Sequence, residues 1–238
     1  MPTSTVSRHI IQLAERNRYF SVESLETQFK RRRMKVNHNT LKQNLIRLKK
    51  KKIIFDAGRG WYSSVPTAFA LNTAPIQQLA NDIKAGFPLL KFCCWSTQQL
   101  QSFAHHMMTK FAAFVYAEMD LLPSIAEHLD GKGYHVFRNP TKAEVKKYFA
   151  LKERTCILRP SITEEPTDNS YATIEKILVD LYVEKDRVYL IDGAEYKRIF
   201  NNVVTSQRIN MGRLLRYAKR REVKETLTNH VLKEGIIL

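Results

Sequence analysis

The stretch from Asn37 to Ser64, NHNTLKQNLIRLKKKKIIFDAGRGWYSS, constrains the fold of this chain more than any other. Leu41, Leu45 and Leu48 recur at i, i+4 and i+7, which places them on one face of a helix. Asn37, one turn upstream, has the side chain of an N-cap. After the helix come Ile53-Ile54-Phe55, then Gly58-Arg59-Gly60, then Trp61-Tyr62. That order predicts a short β-hairpin whose glycines supply the turn.

The residues upstream add two helices. Val6, Ile10, Ile11, Leu13 and Ala14 predict an amphipathic helix from Ser4 to Asn17. Ser21 can cap a second, with Val22, Leu25 and Phe29 as its apolar face. A full capping box would want Glu or Gln three residues on, where this sequence has Ser24. Three helices followed by a ribbon predict a winged helix-turn-helix over residues 1–64. At 100° per residue, the third helix turns its leucines inward and Asn39, Gln43, Arg47 and Lys50 outward, with Ile46 on the same side. Asn and Gln match adenine and Arg matches guanine by paired hydrogen bonds, so these four are the expected base-reading residues. Lys42, Lys49, Lys51 and Lys52 flank that face and are expected on phosphates. Arg59, at the tip of the wing between two glycines, is expected in the minor groove, where a guanidinium meets the deepest negative potential. Trp61 and Tyr62 are expected to pin the ribbon to the core.

Charge points the same way. Lys+Arg number 39 against 23 Asp+Glu, a net of +16 with a pI near 9.8, and such a surface attracts polyanions. Residues 1–64 carry a net +11, and residues 208–224 another +6. In the second island Arg213, Arg216 and Arg220 fall at i, i+3 and i+7, a basic stripe beside an apolar one formed by Leu214, Leu215 and Tyr217. The longest apolar run, Phe111 to Ala117, is too short to span a bilayer. The N-terminus has no secretory pattern. Cys93, Cys94 and Cys156 form no CxxC pair and are expected as reduced thiols. A cytoplasmic protein with no membrane partner is the expectation.

Pro66 and Pro75 mark a change of character, and residues 65–88 read as a linker with one short helix near 75–85. A C-terminal α/β domain is expected over 89–238. Apolar strands are predicted at 89–95, 111–118, 134–138 and 155–160, alternating with helices at 97–108, 121–129 and 142–149. A polar loop follows at 161–170, then helices at 172–183, 194–206, 210–220 and 222–233, with VYLI at 188–191 as a small edge strand. The fold class is α+β: a winged helix, then a central sheet with flanking helices and a helical C-terminal region.

Three segments together carry a resemblance. They are the helix-plus-wing from Asn39 to Ser63, the segment Thr173 to Leu181 with its Glu175-Lys176-Ile177-Leu178-Val179-Asp180-Leu181 run, and the basic helix Ile209 to Ala218. In layout and in these segments the chain resembles the AbiEi-type antitoxins of bacterial abortive-infection toxin–antitoxin pairs, whose "EK-x-LVDL" helix the second segment matches. The resemblance implies a DNA-binding autorepressor that acts on the upstream region of its own operon. It also implies an antitoxin function against a nucleotidyltransferase-like toxin.

No catalytic residue, metal or cofactor is expected. The alternative is a winged helix that delivers a restriction-endonuclease-like nuclease, which needs an acid and a downstream E-x-K on a strand. Asp180 or Asp192 with Glu195-Tyr196-Lys197 satisfies the letters, but Glu195 opens a predicted helix, as does Glu144 of Glu144-Val145-Lys146. Adjacent His105-His106 and the pair Glu118 and Asp120 lack further ligands nearby. A third possibility is an adaptor that uses its winged helix against protein.

Overall fold

The computed structural model describes residues 5–105 and 110–232, with side chains to Asn229. The chain forms two compact units: unit 1 comprises residues 1–69 and 201–238, and unit 2 residues 70–200. Residues 201–238 therefore group with the N-terminal segment, where a continuous C-terminal domain over 89–238 was expected. Both units combine helices with a β-sheet.

Unit 1 opens with α1 (Thr5–Arg16), β1 (Tyr19–Ser21), α2 (Val22–Arg31) and α3 (His38–Lys50). Strands β2 (Phe55–Asp56) and β3 (Trp61–Ser63) follow, and the three strands form an antiparallel sheet in the order β1-β3-β2. Ser21 caps α2: Ser24 N donates to Ser21 Oγ and Ser21 N donates to Ser24 Oγ, both at 3.0 Å. Serine at the third helical position thus closes the box for which a longer acceptor was expected. Asn37 Oδ1 accepts from Thr40 N at 2.7 Å and starts α3. Ile10, Leu13, Phe20, Leu25, Phe29, Leu41, Leu45, Leu48 and Ile54 form one buried cluster, so the apolar faces read from periodicity converge on a single core.

Unit 2 begins with α4 (Ala74–Gly86). Ile76, Leu79, Ala80 and Ile83 of this helix are buried in the main core of the unit, so α4 is a structural layer and not a linker helix. Next come β4 (Cys93–Ser96), a 3-10 helix (Thr97–Phe103), β5 (Ala112–Ala117), α5 (Leu122–Gly131), β6 (His135–Arg138) and α6 (Lys142–Tyr148). They are followed by β7 (Thr155–Pro160), β8 (Thr167–Asp168), β9 (Tyr171–Ala172) and α7 (Ile174–Val188). The strands make a mixed six-stranded sheet, β6-β7-β5-β4-β9-β8. Strand β7 is parallel to both neighbours, β4 is antiparallel to β5, and β4 is parallel to β9.

Three expectations change here. The α-helix predicted over 97–108 is a 3-10 helix that ends at Phe103, with Ser96 and Gln99 forming its capping box; its predicted last residues, 106–108, lie outside the described residues. The loop over 161–170 contains β8, paired antiparallel with β9. VYLI is not a strand, because α7 runs through Val188 and ends where Tyr189 turns left-handed at φ 52°.

Alternation along the strands gives the sheet two faces. Cys94, Val115, Ala117, Cys156 and Leu158 pack with α4 and α5 through Leu122, Ile125 and Leu129. Trp95, Phe114, Tyr116 and Arg159 alternate with them. Trp95 and Phe114 stack at 4.4 Å between ring centroids, and Lys176 Nζ of α7 lies 3.6 Å from the centroid of Tyr116. The chain continues with α8 (Gly193–Ser206), α9 (Met211–Arg220) and α10 (Lys224–Leu232), the last two belonging to unit 1. Among the described residues no helix is long and apolar enough to cross a membrane.

Candidate functional site

The two units divide the charge completely. Unit 1 holds 23 of the 39 Lys+Arg and 7 of the 23 Asp+Glu, a net of +16. Unit 2 holds 16 of each, a net of zero. A polyanion would therefore be drawn to unit 1, because its like charges add in one field.

On α3, Asn39, Lys42, Gln43 and Lys50 are exposed, and Ile46 keeps 45% of its surface in water. The inward face holds Leu41, Leu45 and Leu48, each 2% exposed, together with Asn44. Asn44 and Arg47 form a polar link to α1 that the helical projection did not reveal. Ser7 Oγ donates to Asn44 Oδ1 at 2.6 Å, and Arg47 Nη2 donates to Ser7 Oγ at 2.6 Å and to Asn44 Oδ1 at 2.9 Å. Arg47 is exposed as a residue, yet its guanidinium is held back against α1, so reaching a base requires exchanging these hydrogen bonds. Asn39 and Gln43 occupy the same outward face. At the end of α3, Lys49 is ion-paired with Asp56 of β2, which ties the helix to the hairpin, while Lys51 and Lys52 are exposed.

The hairpin turn is closed by Trp61 N donating to Gly58 O at 2.9 Å. Gly58 and Gly60 have φ of 102° and 75°, conformations that L side chains rarely adopt, and they leave Arg59 exposed at the tip. Tyr62 stacks on Phe20 with centroids 6.0 Å apart, which anchors β3 to the core. Burial raises the Tyr62 phenol above its ordinary pKa, while the nearby Lys49 acts in the opposite sense.

The base of the hairpin is held from far along the chain. Tyr19 Oη donates to Gln207 O and accepts from Ile209 N, both at 3.1 Å. The Arg208 guanidinium donates to the carbonyls of Val65 and Pro66 and lies 4.8 Å from the centre of the Phe55 ring. A Cβ on Gly58 would fall 2.0 Å from Asn210 Oδ1, and one on Gly212 would fall 3.4 Å from Arg59 N and O. The start of α9 is thus seated directly on the turn. On α9 itself Leu214, Tyr217 and Ala218 are buried, while Arg213, Arg216, Lys219 and Arg220 are exposed.

In unit 2 charged side chains are buried and compensated. Lys176 Nζ is 2.8 Å from Asp180 Oδ2 and 3.1 Å from Glu165 Oε1. Arg159 grips Glu184, with Nη2 2.7 Å from Oε2, and its Nη1 donates to Asn139 Oδ1 and Pro140 O. Asp180 is thus engaged with Lys176, whereas Glu195 accepts from His105 N at 2.7 Å and pairs with Arg198. Asp192 caps α8 through Glu195 N, and Glu144 closes the capping box of α6 with Thr141. The acid-plus-ExK letters therefore serve as separate caps and ion pairs. Glu118 precedes a one-turn 3-10 helix, Met119–Leu121, Asp120 lies within it, and both are exposed; His106 lies outside the described residues. Among the described residues no three His, Cys, Asp or Glu side chains come together as metal ligands. Cys93, Cys94 and Cys156 are buried free thiols, each pushed up in pKa chiefly by burial.

The sequence pattern of DUF6577, a family of unknown function, matches residues 40–236, and the chain belongs to that family. The matched span begins inside α3 and takes in the hairpin, all of unit 2 and α9. No curated protein matches the chain.

Proposed function

We propose that unit 1 is a winged helix-turn-helix that binds double-stranded DNA, with α3 in the major groove and the Gly58–Gly60 turn in the minor groove, and that the protein acts as a transcriptional repressor of its own operon. The observation that carries this reading is the confinement of the entire net charge to unit 1, which includes a helix and a turn whose exposed side chains are mostly cations and amides. Asn39, Gln43 and Lys50 are the base-reading candidates, with Arg47 joining them once it leaves Ser7. Arg59 reads the minor groove, and Lys42, Lys49, Lys51 and Lys52 contact phosphates.

The resemblance to AbiEi-type antitoxins extends the proposal to neutralisation of a nucleotidyltransferase-like toxin. Lys176 and Asp180 of the resembling segment are 0% exposed, so a toxin would meet another surface of the protein.

The test is binding to a duplex from the upstream region of the operon, compared with a scrambled duplex, across a salt titration. Preference for the operon duplex and a steep loss with salt are expected. Gln43→Ala should erode discrimination at one base pair by about 1–3 kcal/mol. Equal affinity for both duplexes would remove the repressor reading.

A further inference from the structure

We infer that α9 continues the DNA-binding surface beyond the wing, so that Arg213, Arg216 and Arg220 contact backbone phosphates next to the groove that Arg59 enters. This rests on the DNA-binding reading of unit 1 and adds to it a second segment, distant in sequence.

Contact geometry carries the inference. A Cβ on Gly212 would lie 3.4 Å from the Arg59 backbone, in van der Waals contact with it, and Gly212 N lies 3.4 Å from Ala57 O. Arg213 is the next residue. From there the exposed cations climb α9 on one side, at Arg213, Arg216 and Arg220, while Leu214, Tyr217 and Ala218 fix the adjoining side in the unit. Arg213 and Arg220 are seven residues apart, about 10 Å along a helix axis at ~1.5 Å per residue. A DNA strand presents a phosphate roughly every 3.4 Å of duplex axis, so this stripe is long enough to follow several phosphates of one strand.

Electrostatics supports the same placement. The helix MGRLLRYAKR contains no acid of its own, so its exposed cations add to the positive field of unit 1. Attachment of α9 to the hairpin through Tyr19, Arg208 and Asn210 holds the stripe in fixed register with the wing, which a loose basic tail would not provide. Both partners of this contact, the turn and α9, fall inside the span shared with the family.

The experiment uses the full chain and a duplex from the operon upstream region. The triple variant Arg213→Ala, Arg216→Ala, Arg220→Ala should bind more weakly, with a slope of log K against log salt shallower by about 2.7, from ~0.9 per phosphate contact. Preference over a scrambled duplex should be retained, because phosphate contacts carry no sequence information. The matching triple Arg→Lys variant keeps the charge and should restore most of the slope. Circular dichroism and thermal melting equal to wild type establish that both variants fold. An unchanged slope in a folded alanine variant would overturn the inference while leaving α3 and the wing as the binding surface. The same holds for a loss confined to a single-stranded RNA probe. If the wild-type chain binds no duplex at low salt, the DNA-binding reading itself falls, an outcome distinct from either.

Discussion

On α9, four cations are exposed on a helix whose own sequence contains no acid; on α7, Lys176 is fully enclosed and touches two carboxylates and an aromatic face. Both helices are rich in charge, yet only the first contributes to a long-range field. The reason is the number and placement of counter-charges. In unit 2, Glu165 and Asp180 meet Lys176 and Glu184 meets Arg159 at contact distance, and acids equal cations in number, whereas the cations of unit 1 greatly outnumber its acids. Charge in unit 2 fixes which surfaces meet inside the fold; charge in unit 1 is offered outward.

If that contrast holds, substitutions at the two helices should fail in opposite assays. Lys176→Met leaves Asp180 and Glu165 buried without their cation. Unfolding in urea should show a loss of about 3–5 kcal/mol, the usual cost of breaking a buried pair from one side. A loss below about 1 kcal/mol would mean that water reaches the cluster and that the contrast is overstated.

Gly58→Ala probes the junction between the hairpin turn and α9. The new Cβ meets Asn210 Oδ1, which caps α9 by accepting from Arg213 N at 2.9 Å, and φ of 102° strains any L residue. Thermal melting should report a loss of about 1–3 kcal/mol. An unaffected melting curve would show that the turn and α9 separate freely.

Arg216→Ala should change stability by no more than about 0.5 kcal/mol, as expected for a surface position. A larger effect in denaturant titration would make α9 a structural helix like α7 and erase the distinction.

Much of unit 1 is legible from local pattern. The leucines at 41, 45 and 48, the Asn37 cap and the paired glycines each act within a few residues, and local geometry follows from local chemistry. The outward set on α3 was also readable, but the fate of Arg47 was not. A helical projection shows which way a side chain leaves its own helix and says nothing of Ser7 on another. Unit 2 was readable as strands and helices, while the burial of Lys176 and Asp180 was not, since Glu165 and Tyr116 reach them from a separate loop and strand. Least legible was the docking of residues 207–212 under the hairpin. Tyr19 and Ile209 are 190 residues apart, and neither has a local feature that names the other. The signal, in retrospect, was Gly212 inside a strong helix, where a residue without a side chain marks a close approach.

The seating of Asn210 and Gly212 on the hairpin turn has a consequence for synthesis of the chain. Unit 1 is interrupted by the whole of residues 70–200, so its first segment leaves the ribosome without the helical piece that braces its turn. At about 5–20 residues per second, the intervening stretch takes roughly 7–26 s to appear. During that time the hairpin turn lacks Asn210 and Gly212 against it, and Tyr19 lacks its partners at Gln207 and Ile209. A nascent or truncated chain therefore lacks a finished unit 1, and synthesis of residues 207–212 becomes the event that assembles it.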